Sequence, residues 1–148
     1  MKFSKKSRYG VAALIDLAVN SKNGHVALGS IAERNEISPQ YLEQVFASLR
    51  RAGIVKSVKG SQGGYLLKYP SSSITVASII QALEGTYYLD DEETKKEENA
   101  AGIAETIQED IVDRVNHGLD QILQNLTLAD LEESFQERQS GGQEMYYI

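Results

Sequence analysis

The chain has 148 residues, 41% of them hydrophobic and 24% charged, with no Cys, no Trp and two Pro, the proportions of an ordinary globular domain. That length holds one domain, or a small domain with an appendage, and without cysteine there is no disulfide framework, no thiolate nucleophile and no cysteine-held zinc or iron–sulfur cluster. No apolar run approaches the roughly 20 residues of a membrane span, and the lysine-rich start lacks the apolar core of a signal peptide, so a cytoplasmic protein is expected.

The net charge of −6 hides a division near Pro70. Residues 1–70 hold 11 Lys+Arg against 4 Asp+Glu, a balance of +7, and residues 71–148 hold 4 against 17, a balance of −13. A basic half suited to a polyanion is joined to an acidic half that is not; scatter of solvated charge is the plain alternative.

Tyr9, Ala12, Ala13, Leu14, Leu17 and Ala18 recur at three- and four-residue spacings and predict an amphipathic helix from Lys6 to Asn20. After a turn cluster at residues 20–24, a short helix is expected over Gly29 to Asn35, with Ile31 and Ala32 inward. Ser38-Pro39 is a strong helix start, a capping hydroxyl followed by a residue of preset φ. The third helix then runs to about Ala52 on the stripe Leu42, Val45, Phe46 and Leu49, and Gly53 is placed to stop it. Two short runs, Ile54 to Val58 and Tyr65 to Lys68, flank the glycine-rich loop Lys59 to Gly64 and predict a β-hairpin. Helix, helix, capped helix and hairpin compose a winged helix–turn–helix, in which the third helix enters a major groove.

Beyond Pro70, Thr75 opens a helix with Val76, Ile79, Ile80 and Leu83 inward, ending at Gly85. Asp90 to Asn99 is charge-dense and apolar-free, a mobile loop or the start of a helix. Ile103, Ile107, Ile111, Val115, Leu119 and Ile122 then predict a long helix to Gln124, about 33 Å at ~1.5 Å per residue. A domain this small cannot cover such a stripe, so the stripe is expected to pack on a second subunit. Thr127 is placed to cap a last helix, Leu128 to about Glu137, before a flexible tail that turns apolar at Tyr146, Tyr147 and Ile148. The fold class expected is mainly α: a winged domain over residues 1–70, a helical dimerisation and effector region over 71–138, and a tail over 139–148.

Sequence readout needs polar side chains on the first turns of the reading helix and cations around it. Ser38, Gln40, Tyr41, Glu43 and Gln44 supply the first. Arg50, Arg51, Lys56 and Lys59 supply the second, with Lys5, Lys6 and Arg8 at the start of the first helix and Ser61 and Gln62 in the wing. Gly60, Gly63 and Gly64 are expected to let the wing backbone approach phosphates. A nucleotide cradle is rejected for that loop because it joins two strands and opens no helix. His25 and His117 stand alone, without metal-pair spacing, and Glu92, Glu93, Glu97 and Glu98 read as a solvated charge run. Two scattered histidines make no catalytic constellation, so an enzyme is not expected.

The segment from Ile37 to Tyr65, with Tyr41-Leu-Glu43, Ala52-Gly53 and Gly63-Gly64-Tyr65, together with the opening Ser7-Arg8-Tyr9-Gly10, resembles the Rrf2 family of bacterial winged-helix transcription regulators. The resemblance is close over residues 1–85 and loose over 100–148. It implies a homodimer joined through the long helix, two winged domains on a partly palindromic double-stranded DNA operator, and Ser38, Gln40, Tyr41, Glu43, Ser61 and Gln62 at the DNA. Many members hold an iron–sulfur cluster on three cysteines before the long helix; here that loop, Leu89 to Ala101, has none, and no cofactor or metal is expected. The end, Glu144-Met-Tyr-Tyr-Ile148, resembles that of cysteine-metabolism repressors of Gram-positive bacteria, which implies docking of Tyr146, Tyr147 and Ile148 into O-acetylserine sulfhydrylase on a Gly141-Gly142 tether. Packing of the tail on its own dimer is the alternative. The expected function is a homodimeric, sequence-specific DNA-binding repressor, with a winged-helix interaction module that no longer binds DNA as the other reading.

Overall fold

The computed structural model describes residues 3–91 and 101–146. α1 (Lys5–Asn20) begins where the Ser4 hydroxyl accepts from the Ser7 amide and turns Ala13, Leu14, Leu17 and Ala18 inward. α2 (Leu28–Asn35) buries Ile31 and Ala32 and ends on Glu36, whose left-handed backbone (φ 53°) makes the sharp turn toward the next helix. α3 (Pro39–Arg51) is capped by Ser38, with Pro39 in the first turn, and buries Leu42, Val45, Phe46 and Leu49. Gly53, at φ 77°, ends the turn after it. β1 (Val55–Val58) and β2 (Gly64–Leu67) pair antiparallel, Val55 opposite Leu67 and Val58 opposite Gly64. These boundaries fall within a residue or two of those the caps and glycines predict, and the winged helix–turn–helix is present.

Packing does not divide where the charge does. The core of α1–α3 and the hairpin continues past Pro70 through Ile74, Ile79 and Leu83 to Leu128. α4 (Val76–Glu84), capped by Thr75, crosses α1 at Gly10, where a Cβ would lie 2.4 Å from Leu83 Cδ1. Beside this crossing the buried Ser7 hydroxyl donates to Glu84 Oε1 at 2.6 Å, and the Ser4 hydroxyl donates to the same oxygen. Ser7 and Gly10 therefore lock α1 to α4; most of the opening motif is structural.

Past Gly85 the chain is strapped to the long helix: Tyr87 and Tyr88 both donate to Asp120, and the Leu89 amide donates to Asn116 Oδ1 at 2.8 Å. The long helix is built from α5 (Ala101–Ile107), a π-helical stretch Gln108–Asp113, and α6 (Arg114–Leu123). Ile103, Ile107, Ile111 and Val115 repeat every four residues, which overshoots an α-turn of 3.6; the wider π turns hold more residues each and bring the repeat closer to one face. Among the described residues no helix is long and apolar enough to cross a membrane.

α7 (Leu128–Tyr146) is longer than expected. Its start is fixed twice, by the reciprocal bonds of Thr127 and Asp130 and by backbone bonds from Val76 to Leu126 and from Leu128 to Ile74, both 2.8 Å. Once such a start exists each added residue gains a hydrogen bond. Arg138 and Gln139 before the glycine pair, with Gln143, Glu144 and Met145 after it, are strong helix formers. The helix therefore runs through Gly141 and Gly142, at about 1 kcal/mol each, where a flexible segment was expected. Tyr147 and Ile148, and the charge run 92–99, lie outside the described residues.

Candidate nucleic-acid interface

Two rows of side chains on α3 line clefts on either side of the helix. One row, Glu43, Ala47 and Arg50, faces the wing across a groove of about 550 Å³ whose far wall is Ser57 to Gly60 and Gly63 to Tyr65. The other row, Gln44, Ser48 and Arg51, faces Lys6 of α1 across a cleft of about 350 Å³. Residues at i, i+4 and i+7 share a helix face, so each row is a direct product of helical spacing. Gln40, Glu43 and Gln44 are exposed, as are Arg50, Lys56, Lys59, Ser61 and Gln62. The described ion pairs, Lys22–Glu132 and Arg34–Asp16, use none of these cations.

Several predicted residues sit differently. Ser38 is exposed but its hydroxyl accepts from the Tyr41 amide as the cap of α3. Tyr41 is half-buried, edge-on to Tyr9 with ring centroids 5.8 Å apart, so packing holds most of its ring. Lys5 leans over Tyr9 at 5.6 Å and Arg8 over Phe3 at 5.2 Å. Leu119 is half-buried against the cluster of Val76, Ala77, Ile80 and Tyr87 in its own chain. The rest of the stripe is open: Ile103 is 66% exposed, Ile107 50%, Ile111 54%, Val115 40% and Ile122 63%.

The wing is anchored at three points. The Phe46 and Tyr65 rings meet edge-on at 4.8 Å. Val26 and Tyr65 exchange two backbone hydrogen bonds of 3.0 and 2.9 Å. At the tip His25 Nε2 donates to the Gln62 carbonyl. A Cβ on Gly64 would stand 2.4 Å from the Val26 oxygen, and one on Gly63 2.5 Å from the Val58 oxygen. These two glycines serve close approach inside the chain, whereas Gly60 has open space around it. Sequence reading passed over Ser48 and the His25–Gln62 bond. A serine between the apolar positions 45, 46 and 49 of α3 was the visible sign of the first; the second, 37 residues apart in sequence, left none.

The profile of the family described as Rrf2, iron-dependent transcriptional regulator, matches residues 3–134. This chain belongs to the Rrf2 family. Among its relatives, the HTH-type transcriptional regulator IscR of Yersinia pestis is 38% identical over 135 residues, 88% of this chain and 79% of that protein. Two solved structures are also similar. CymR, the global cysteine regulator of B. subtilis, has a TM-score of 0.72 at 34% identity, covering 90% of this chain and 98% of that one. T. potens IscR has a TM-score of 0.73 at 39% identity, covering 94% and 91%. The Rrf2 chain described here is a transcriptional regulator with a winged-helix fold, not an enzyme. The family description names iron. The chain has no cysteine, and among the described residues no three His, Asp or Glu side chains are grouped to hold a metal. A cluster held by three thiolates does not fit this chain.

Proposed function

We propose that this Rrf2 regulator is a cytoplasmic homodimeric repressor that reads a specific DNA sequence through α3. The observation that carries this is the groove between α3 and the wing, polar at Glu43 and cationic at Arg50 and Lys59, with no described carboxylate neutralising either cation. Gln40, Glu43 and Gln44 reach base edges, amides pairing with adenine and the carboxylate accepting from cytosine N4. Ser38 and Tyr41 contribute the sides they leave exposed. Lys5, Lys6, Arg8, Arg50, Arg51, Lys56, Lys59, Ser61 and Gln62 hold the phosphates. Two copies join through Ile103, Ile107, Ile111, Val115 and Ile122, with Leu119 at the edge of that contact.

The chain acts without an iron–sulfur cluster, and its likeness to a protein named a global cysteine regulator supports a role in sulfur metabolism. Tyr146, Tyr147 and Ile148 dock on O-acetylserine sulfhydrylase. Titrating that enzyme with full-length protein and with a form lacking Ile148 tests this: equal affinities end it.

The DNA reading is tested by anisotropy on genomic fragments. Neutralising 6–10 phosphates makes affinity fall by about 10³–10⁵ between 50 and 200 mM salt. Arg50→Ala and Lys59→Ala weaken all DNA alike, whereas Gln40→Ala and Glu43→Ala change base preference. Uniform loss in all four variants overturns base reading by α3, and absence of any binding leaves the interaction-module reading.

A further inference from the structure

We propose that Lys6, Ser48 and Arg51 form a preorganised seat for one backbone phosphate of the DNA, on the side of α3 turned away from the wing; this rests on the DNA-binding reading above. Ser48 is nearly buried, 9% exposed, and all its hydrogen-bonding capacity is committed. Its hydroxyl donates back to the Gln44 carbonyl at 3.4 Å and accepts from Lys6 Nζ at 3.5 Å and from Arg51 Nη2 at 3.3 Å. Two cations bonded to one oxygen stand within about 7 Å of each other, close enough for a single phosphodiester to bridge them through its two free oxygens.

No acid lines this cleft; its walls are Lys6, Tyr41, Gln44, Val45, Ala47, Ser48 and Arg51. The charge of Lys6 is felt by the Glu84 carboxylate, which does not line the cleft and whose Oε1 already accepts from Ser4 and Ser7. Two like charges are thus drawn together by a neutral hydroxyl, an arrangement that an anion with several acceptor oxygens completes. The row geometry says which anion. α3 ends each of its two rows in an arginine, Arg50 toward the wing and Arg51 toward Lys6. A helix lying in a major groove about 12 Å wide has one phosphate strand on either side. The wing-side row meets one strand and the Lys6–Ser48–Arg51 seat the other. Ser48 is a positioning residue that sets the two cations and does not itself need to touch DNA.

The test uses the full chain on a mixed-sequence duplex, because a phosphate contact is independent of sequence. Lys6→Ala and Arg51→Ala each lower affinity by about tenfold or more, and the double variant is little weaker than either, because both act on one phosphate. The slope of log affinity against log salt falls in the double variant by about 0.9 per protomer, the value for one phosphate. Ser48→Ala gives a smaller loss of the same sequence-independent kind. Independent, additive losses, with twice that change in slope, overturn the shared seat. So does a full loss in Arg50→Ala with none in the Lys6 and Arg51 variants, a result that leaves the DNA reading standing; failure of wild type to bind the duplex removes the reading itself. Inorganic phosphate is titrated in parallel: binding that the three variants abolish while their DNA affinity is unchanged assigns the seat to a free anion and overturns the proposal.

Discussion

In the winged lobe Leu14, Leu17, Ile31, Leu42, Val45, Phe46 and Leu49 are fully buried, whereas on the long helix Ile103, Ile107, Ile111 and Ile122 stay half or more exposed. Both regions carry regular apolar stripes, and only the first has somewhere in its own chain to put them. Each large apolar side chain left in water forgoes about 1.5–3 kcal/mol of burial, so the long helix is an unfinished surface, which the homodimer proposed above covers with the same stripe of a second copy. The winged lobe spends its exposed area on cations and amides instead. The proposed function thus puts reading and pairing on separate surfaces, and each can be broken alone.

The largest effect comes from the pairing surface. Ile107→Glu with Ile111→Glu leaves the helical signal and most of the thermal stability intact but gives a monomer by sedimentation. Affinity for a two-half-site operator falls by about 10²–10⁴ as the second site loses its tether. A variant that stays dimeric shows that another surface joins the subunits.

On the other side of the comparison, Phe46→Ala empties the centre of the lobe and removes the ring against which Tyr65 seats the wing. Urea unfolding shifts by about 3–5 kcal/mol. A change below 1 kcal/mol would mean that the lobe collapses around the gap and is not tightly packed.

Two glycines give smaller effects of opposite sign. Gly64→Ala places a Cβ 2.4 Å from the Val26 oxygen, parts the bond that roots the wing, and costs about 1–3 kcal/mol. Gly141→Ala, in open space on α7, gains up to about 1 kcal/mol and raises helicity by circular dichroism; no gain shows that α7 ends before that residue in solution.

Those two positions also mark how far the sequence could be read. Local chemistry was legible: Ser38, Thr75 and Thr127 cap helices as hydroxyls before an apolar period must, and Gly53 and Gly85 stop them. The polar row of α3 and the unburied isoleucines were legible too, since both follow from helical spacing. What a residue meets across the fold was not. The need for glycine at 64 comes from Val26, distant in sequence, and the packing of Tyr41 comes from Tyr9, which nothing local announces. Ser7 and Gly10 were visible as a motif, but only the crossing of α4 shows that they serve packing. The length of α7 escaped because a paired glycine is a local stop signal, and the fixed helix start that outweighs it depends on bonds to Ile74 and Val76.

The smallest effect probes the seam between the two regions, where Glu84 at the end of α4 meets the start of α1. The hydroxyls of Ser4 and then Ser7 hold its carboxyl below the usual carboxylate range, helped by the charge of Lys6. They stabilise the ionised form, so the folded chain gives up this proton more readily than the unfolded chain does. The resulting stability is fully present above about pH 5 and fades as pH falls through the carboxylate range near 4 and below. Glu84→Gln keeps a hydrogen-bonding oxygen and removes the charge. Its melting temperature lies a little below wild type at pH 7, by an amount that solvent screening keeps small, and the difference narrows on acidification. A gap that persists unchanged at pH 3 would mean that the seam depends on side-chain shape rather than on the carboxylate's charge.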